Sequence, residues 1–472
     1  MATKNFRSLS ALLRKYRSIM SNHISVKSNP QVFKWALLGV FMAGASYWGV
    51  KRYRLAYCQE KGTCTQIDPL DAIFDKLNLK DKLDDLGQDI WQQVQDKFID
   101  EHVKEALDFI VSICDRLKQF DMPDIEYKIP RFILLFLVKR SQEFTIEKRR
   151  NECQSADLNR DIFEEDKKMG QFALNVYAAS WAWKSDHKDA AIKMGLKESD
   201  KVLKTWFTDQ DGFCPKFMIF TDHDSRSIVL AIRGTYSLAD VIVDVICDEE
   251  EFLDGFAHRG ILRGAKKILE ESQDTLKETF ETYPDYRLVV TGHSLGAGTA
   301  ILIAMKILSG EFKDLFKVSN VKCVALAPPP VYRSRSVDKY SQNIDIFING
   351  NDCVPRLTLA NMAKLMSMLR AVDQVPLSVQ DHLKIIAGVD DPEVSKNLEK
   401  LSQALSQADQ DQFPKLEHPG KIFYLHKEAP KKFKILTSPG KYFSENLLFF
   451  ENMVLDHLQP YYEEAFANVQ WD

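Results

Sequence analysis

The apolar run Leu288-Val289-Val290-Thr291 leads without a break into Gly292-His293-Ser294-Leu295-Gly296, and a second apolar stretch, Ala297 to Leu308, follows at once. Together they read as strand, sharp turn and helix, and few architectures accommodate that sequence of elements with a serine at the apex. The glycines on either side let other backbone pass closely while the serine is held in a strained turn with its hydroxyl exposed. The helix N-terminus behind it favours negative charge at that point. The pattern is that of a nucleophile elbow.

The surrounding sequence repeats the theme. KFMIFT (216–221) and SIVLAI (227–232) read as neighbouring strands, and KCVALA (322–327) and IDIFING (344–350) as later ones. Short apolar runs separated by helical stretches predict a mostly parallel central sheet covered on both faces. KIFYLH (421–426) and KFKIL (432–436) read as a closing hairpin.

A serine hydroxyl is a poor nucleophile until a base takes its proton, so a histidine is required, with a carboxylate to fix the histidine's tautomer. On a sheet with such an elbow they follow in the order Ser, Asp/Glu, His, and the carboxylate belongs just past a later strand. Asp352 follows IDIFING directly. Read alone, it also suits the turn after Asn349-Gly350-Asn351. Four histidines lie downstream: His382, His418, His426 and His457. His426 falls inside the expected hairpin and His418 beside Pro419. His457 follows the last strand, where a loop can turn back over the sheet edge, and is the preferred base.

Five ordered segments carry a resemblance: IVLAIRGTYSLADVIVDV (228–245), FAHRGILRGA (256–265), VVTGHSLGAG (289–298), Asp352-Cys353-Val354-Pro355-Arg356 and MVLDHLQPYY (453–462). The chain resembles the class 3 (fungal-type) lipases over roughly residues 160–470, and especially the sn-1-specific diacylglycerol lipases. The resemblance implies an α/β-hydrolase fold over 151–472 and hydrolysis of a lipid ester through Ser294, Asp352 and His457. Thr235 and the backbone N–H of Leu295 would form the oxyanion hole, Tyr236–Phe256 would be a lid, and His258 would be structural. No cofactor and no metal are implied. Between Asp352 and His457 lie 104 residues, more than a simple class 3 lipase needs. The excess, about 361–413, matches the place where diacylglycerol lipases carry an inserted regulatory segment. Those enzymes usually have four membrane spans, whereas one candidate is visible here. Phospholipase A1 and monoacylglycerol lipase would carry the same three residues.

The N-terminal third takes no part in the resemblance. Residues 1–59 hold ten Lys/Arg and no Asp or Glu; with a net charge of −4 for the whole, the rest carries −14. A body that acidic repels phosphate backbones, which excludes nucleic-acid binding by the main domain. Residues 1–31 form a basic amphipathic N-terminus, which reads as a mitochondrial presequence or as a juxtamembrane helix drawn to anionic lipid. Residues 32–50, VFKWALLGVFMAGASYWGV, just reach the length of a transmembrane helix. Residues 60–150 read as a helical connector, and FILLFLV (132–138) within it as a core strand or a membrane-surface contact. The expected protein is therefore a single-pass membrane hydrolase, of the mitochondrial inner membrane or of the endoplasmic reticulum or plasma membrane. A rival reading makes it a catalytically silent subunit of a membrane-protein complex. Eight cysteines without Cys-x-x-Cys spacing argue against structural zinc; Cys58 and Cys64 are a close pair that an oxidising compartment could bridge.

Overall fold

The computed structural model describes residues 153–471, apart from 183–185, 208–214, 236–248, 313–319, 335–336, 341, 378–380, 382–384, 386–391, 409–414, 439, 445–447 and 451, together with Leu135, Val138, Lys139 and Gln142. The elements below belong to the compact unit made of residues 105–375 and 401–472, except that the insertion helix α6 straddles its boundary.

In chain order the strands are β1 (Gln154–Ser155), β2 (Val202–Trp206), β3 (Phe217–Asp222), β4 (Ser227–Ile232), β5 (Glu249–Phe252), β6 (Gly255–His258), β7 (Arg287–His293), β8 (Val321–Leu326), β9 (Tyr332–Arg333), β10 (Ile344–Asn349), β11 (Lys421–Ala429) and β12 (Lys432–Ser438). The helices are α1 (Arg160–Ala182), α2 (His187–Met194), α3 (Arg259–Thr282), α4 (Leu295–Leu308), α5 (Leu359–Gln374), α6 (Pro392–Ala408) and α7 (Gln459–Ala467).

Nine strands form one sheet in the order β1-β12-β11-β10-β8-β7-β4-β3-β2. Its centre is parallel: β4 with β7, β7 with β8, β8 with β10 and β10 with β11. Its flanks are antiparallel: β2 with β3, β3 with β4, β11 with β12 and β12 with β1. The expectation of a mostly parallel sheet is thus corrected to a mixed one of α/β-hydrolase type. Connection length is the cause. Asp222 pairs with Ser227 across a four-residue turn, and a parallel partner would need a crossover of a dozen residues or more. β5, β6 and β9 form a small separate antiparallel sheet.

The central strands read as unbroken apolar runs because both of their faces are buried. On β4, Ile228, Leu230 and Ile232 join the core under α3 and α4, while Val229 and Ala231 join the core under α1 and α7. Each such Ile, Leu or Val contributes about 1.5–3 kcal/mol. α4 has almost no polar face because it is enclosed, with eleven of its residues buried. His258 caps α3, its Nδ1 accepting the Ile261 N–H at 3.2 Å.

The expected membrane anchor is not supported. Among the described residues no helix is long and apolar enough to cross a membrane. The most apolar of them, α4, has 14 residues, about 21 Å at the usual helical rise against a hydrocarbon layer of about 30 Å, and it serves as core. The span expected at 32–50, the basic N-terminus, Cys58 and Cys64 and most of the connector lie outside the described residues. The transmembrane helix preceding the fold is withdrawn. So are membrane anchoring, a membrane or membrane-complex partner, and the mitochondrial, endoplasmic-reticulum and plasma-membrane locations. The run at 132–138 is not a strand where it is described: Leu135 and Val138 are helical and buried.

At the opposite end of the strands from Ser294, Lys322 pairs with Asp345 and lies 3.5 Å from Asp166 Oδ1. Both carboxylates are buried. Burial pushes the Asp166 carboxyl up to about 8, against the pull of Lys322 and helped by Asp345. The folded state therefore holds a proton that the unfolded chain releases near pH 4. Stability from this group is complete below that pH and is lost as pH rises through about 8. Asp166→Asn keeps the Lys322–Asp345 pair and removes the titration. It should raise the thermal midpoint at pH 9 by about 3 °C or more and leave it nearly unchanged at pH 4, in thermal melts across that range.

Candidate active site

Ser294 stands between β7 and α4 with φ 60° and ψ −130°, a conformation an L-residue holds only when its surroundings impose it. Two glycines make room. A Cβ on Gly296 would lie 2.9 Å from the carbonyl carbon of Arg233 and from the Gly234 nitrogen, and would overlap the Ile232 oxygen; one on Gly292 would run into Gly296 itself. The end of β4 thus packs directly onto the turn. The turn is fixed by its own backbone: Ser294 N–H donates to Leu326 O at 2.9 Å, and Ser294 O accepts from Ala297 N–H at 2.9 Å.

Asp352 follows β10 after the turn Gly350-Asn351, and His457 ends a short 3₁₀ turn, Leu455–His457. His457 Nε2 lies 3.0 Å from Ser294 Oγ, and its Nδ1 lies 2.9 and 3.1 Å from the two oxygens of Asp352. The rest of the network fixes the protons. Val354 N–H donates to Asp352 Oδ1 at 2.9 Å, and Tyr462 OH donates to Oδ2 at 2.8 Å while accepting from Asn349 N–H at 3.0 Å. The carboxylate accepts throughout, so His457 Nδ1 carries its proton and donates. His457 Nε2 then presents a lone pair, and Ser294 Oγ donates to it. Burial, reinforced by Asp352, holds the Tyr462 phenol well above its ordinary range, so it stays a donor.

A second imidazole braces the first. His293 Nε2 lies 2.9 Å from His457 O; a carbonyl only accepts, so this nitrogen carries the proton. His293 Nδ1 then accepts from Tyr177 OH at 3.2 Å. Burial, with the nearby His457 adding, holds the His293 pKa well below its usual value, so the ring stays neutral. Tyr177, His293 and Tyr462 were not found by sequence reasoning. His293 is the variable position of its motif, and the two tyrosines carry no local pattern that distinguishes them from core aromatics.

Of the other histidines, His418 is buried with its Nε2 donating to Pro355 O at 2.9 Å, and His426 sits on β11, 3.4 Å from Tyr424 OH. His382 lies outside the described residues. Thr235 follows Gly234, whose Cβ, if it had one, would lie 3.2 Å from Ser294 Cβ. Leu295 opens α4 immediately after the serine. The structure therefore brings Ser294, Asp352 and His457 into hydrogen-bond contact, with Thr235 and Leu295 in the segments that flank the serine. Of the expected lid, 236–248 lie outside the described residues, and Glu249–Phe252 with Gly255–His258 form the β5–β6 hairpin. Among the described residues no group of three or more His, Cys, Asp or Glu could hold a metal ion. Ser294 is 1% exposed and His457 3%.

Comparison with known proteins places this geometry in context. Residues 229–362 match the family Lipase (class 3). Mouse diacylglycerol lipase-beta is 32% identical over 222 residues, 45% of this chain and 30% of that protein. Human diacylglycerol lipase-alpha is 31% identical over 186 residues, 36% of this chain and 17% of that protein. The chain thus spans less than a third of either relative. The secreted mono- and diacylglycerol lipase A of Penicillium cyclopium is 32% identical over 161 residues, 33% of this chain and 49% of that protein. Among solved structures, a lipase from Rhizopus microsporus var. chinensis aligns with TM-score 0.43 at 17% identity, covering 65% of this chain and 88% of that one.

Proposed function

We propose that this chain, whose segment 229–362 is of the class 3 lipase family, is a serine hydrolase of acylglycerol esters in which Ser294 is nucleophile, His457 base and Asp352 acid. The observation that carries the reading is the continuous chain from Ser294 Oγ through both nitrogens of one imidazole to Asp352. Ser294 Oγ attacks the ester carbonyl as its proton passes to His457 Nε2. The imidazolium that forms is held by the Asp352 carboxylate, and it then protonates the departing alcohol. Water, activated by the same nitrogen, releases the acid from the acyl-enzyme. The backbone N–H of Leu295, at the start of α4, and a donor from Thr235 would hold the oxyanion; such donors contribute about 3–4 kcal/mol each.

The preference for acylglycerols rests on the named relatives, which are mono- and diacylglycerol lipases. The test is product analysis on the purified protein. It would be offered defined diacylglycerol, triacylglycerol, monoacylglycerol and phosphatidylcholine as detergent emulsions, beside a fluorophosphonate probe. Release of fatty acid from acylglycerols with probe labelling is expected. Hydrolysis of phosphatidylcholine alone would make the protein a phospholipase A1, and neither hydrolysis nor labelling would end the reading.

A further inference from the structure

His457 is preceded by a residue the triad does not use. The Asp456 side chain is turned into the protein, 5% exposed, and meets the loop that leads from β10 to Asp352. Its Oδ2 accepts the backbone N–H of Asn351 and the amide of Asn452, each at 2.6 Å. Its own carbonyl accepts from Asn349 Nδ2 at 3.0 Å, and Asn452 Oδ1 accepts from Asn351 Nδ2 at 3.0 Å. Gly350 lies against it: φ is +46°, and an added Cβ would overlap the carboxylate. One further bond, Cys353 N–H to Met453 O at 3.1 Å, completes the seam. The acid's loop and the base's turn are thus joined along 349–353 and 452–456, with the Asp456 carboxylate at the centre.

This is a costly place for a charge. Asp352 and the Cys353 thiol face it from the acid's loop, Tyr462 from α7 and Lys427 from β11. Burial is the main reason that its carboxyl is pushed up to about 6, with the Asn351 bond opposing and Asp352 adding. A side chain kept there only for packing would be stabilising as an apolar group. What a carboxylate adds is two short charge-assisted bonds that fix one loop against the other.

We propose that Asp456 is a positioning residue for the triad: its ionised carboxylate latches the loop bearing Asp352 to the turn bearing His457, and catalysis weakens when that latch is neutralised. The inference rests on the triad reading above. Rate is sensitive to this alignment, since a displacement of about 1 Å can cost about 100-fold. Below about pH 6 the latch takes up a proton, so activity should fall there as Asp456 is neutralised.

The experiment measures kcat and KM for a short-chain ester from pH 5 to 9 in the full chain, for wild type, Asp456→Ala, Asp456→Asn, Asn452→Ala and Ser294→Ala. Asp456→Ala should lower kcat at pH 8 by about tenfold or more with KM within about twofold. Asp456→Asn keeps an acceptor for Asn351 but not the charge, so its kcat at pH 8 should fall between those of Asp456→Ala and wild type, and its acid limb should lose the Asp456 ionisation. Asn452→Ala removes one donor to the charged form and should move the acid limb to higher pH. An alanine variant with wild-type kcat and limb, or an asparagine variant with the wild-type acid limb, overturns the latch. Should Asp456→Ala fail to fold by circular dichroism, an Asn452→Ala limb identical to wild type overturns it instead. An active Ser294→Ala protein would bring down the triad reading itself, whereas an inactive one beside an indifferent Asp456 would remove only the latch.

Discussion

Ser294→Ala should remain folded, lose fluorophosphonate labelling entirely and hydrolyse a short-chain ester at least about 1,000-fold more slowly than wild type. Without Oγ there is no acyl-enzyme, and what survives is the rate that binding and oxyanion donors alone can supply. The hydroxyl is bonded to His457 Nε2, so its removal leaves the imidazole's other bonds intact. Alanine at φ 60° is held by the same packing that holds serine, and melting curves of the two proteins should nearly coincide. Labelling that persists in this variant would remove Ser294 from its role.

Asp352→Ala and Asp352→Asn should differ, and the network says by which mechanism. Alanine strands three donors in a fully buried place: His457 Nδ1, Val354 N–H and Tyr462 OH. An unmet buried donor costs about 1–3 kcal/mol, so the alanine protein should be measurably less stable as well as slower by about 10,000-fold. Asparagine is constrained further. Val354 N–H demands an oxygen at the Oδ1 position, and that same position is the one 2.9 Å from His457 Nδ1. The amide is thereby turned so that its oxygen still accepts from the imidazole, and the tautomer survives. In serine proteases the equivalent change selects the wrong tautomer and costs about 10,000-fold. Here the charge opposite the imidazolium is lost together with the acceptor for Tyr462 OH, and the expected drop in kcat is about 100-fold to 1,000-fold. Equal losses in the two variants would sink this account of the proton arrangement.

Much of the layout was legible because it is written in short-range signals. An apolar strand running into Gly-His-Ser-Leu-Gly and then a helix declares its turn locally, and IDIFING followed by Asp352 declares a strand end. Ser294, Asp352 and His457 are found in mutual contact; their assignment as nucleophile, acid and base is our proposal. The sheet's handedness of pairing was less legible. A fully buried strand such as β3 shows no alternation, so only the four-residue turn to β4 reveals that it runs antiparallel. Residues 132–138 gave a similar ambiguity, an apolar run that suits strand or buried helix alike, and helix won at Leu135 and Val138. Tyr177, Tyr462 and the His293 brace were invisible because their partners lie more than a hundred residues away.

With Ser294 at 1% exposure, binding of an ester would sample only the fraction of the population in which the hydroxyl can be reached. An ester's apparent dissociation constant is then its intrinsic value divided by that fraction. A rest state populated a hundred to one over the competent state would weaken observed binding about 100-fold without altering a single contact to the ester. Weak affinity in dilute solution and a well-shielded hydroxyl would, on this view, be the same property measured twice.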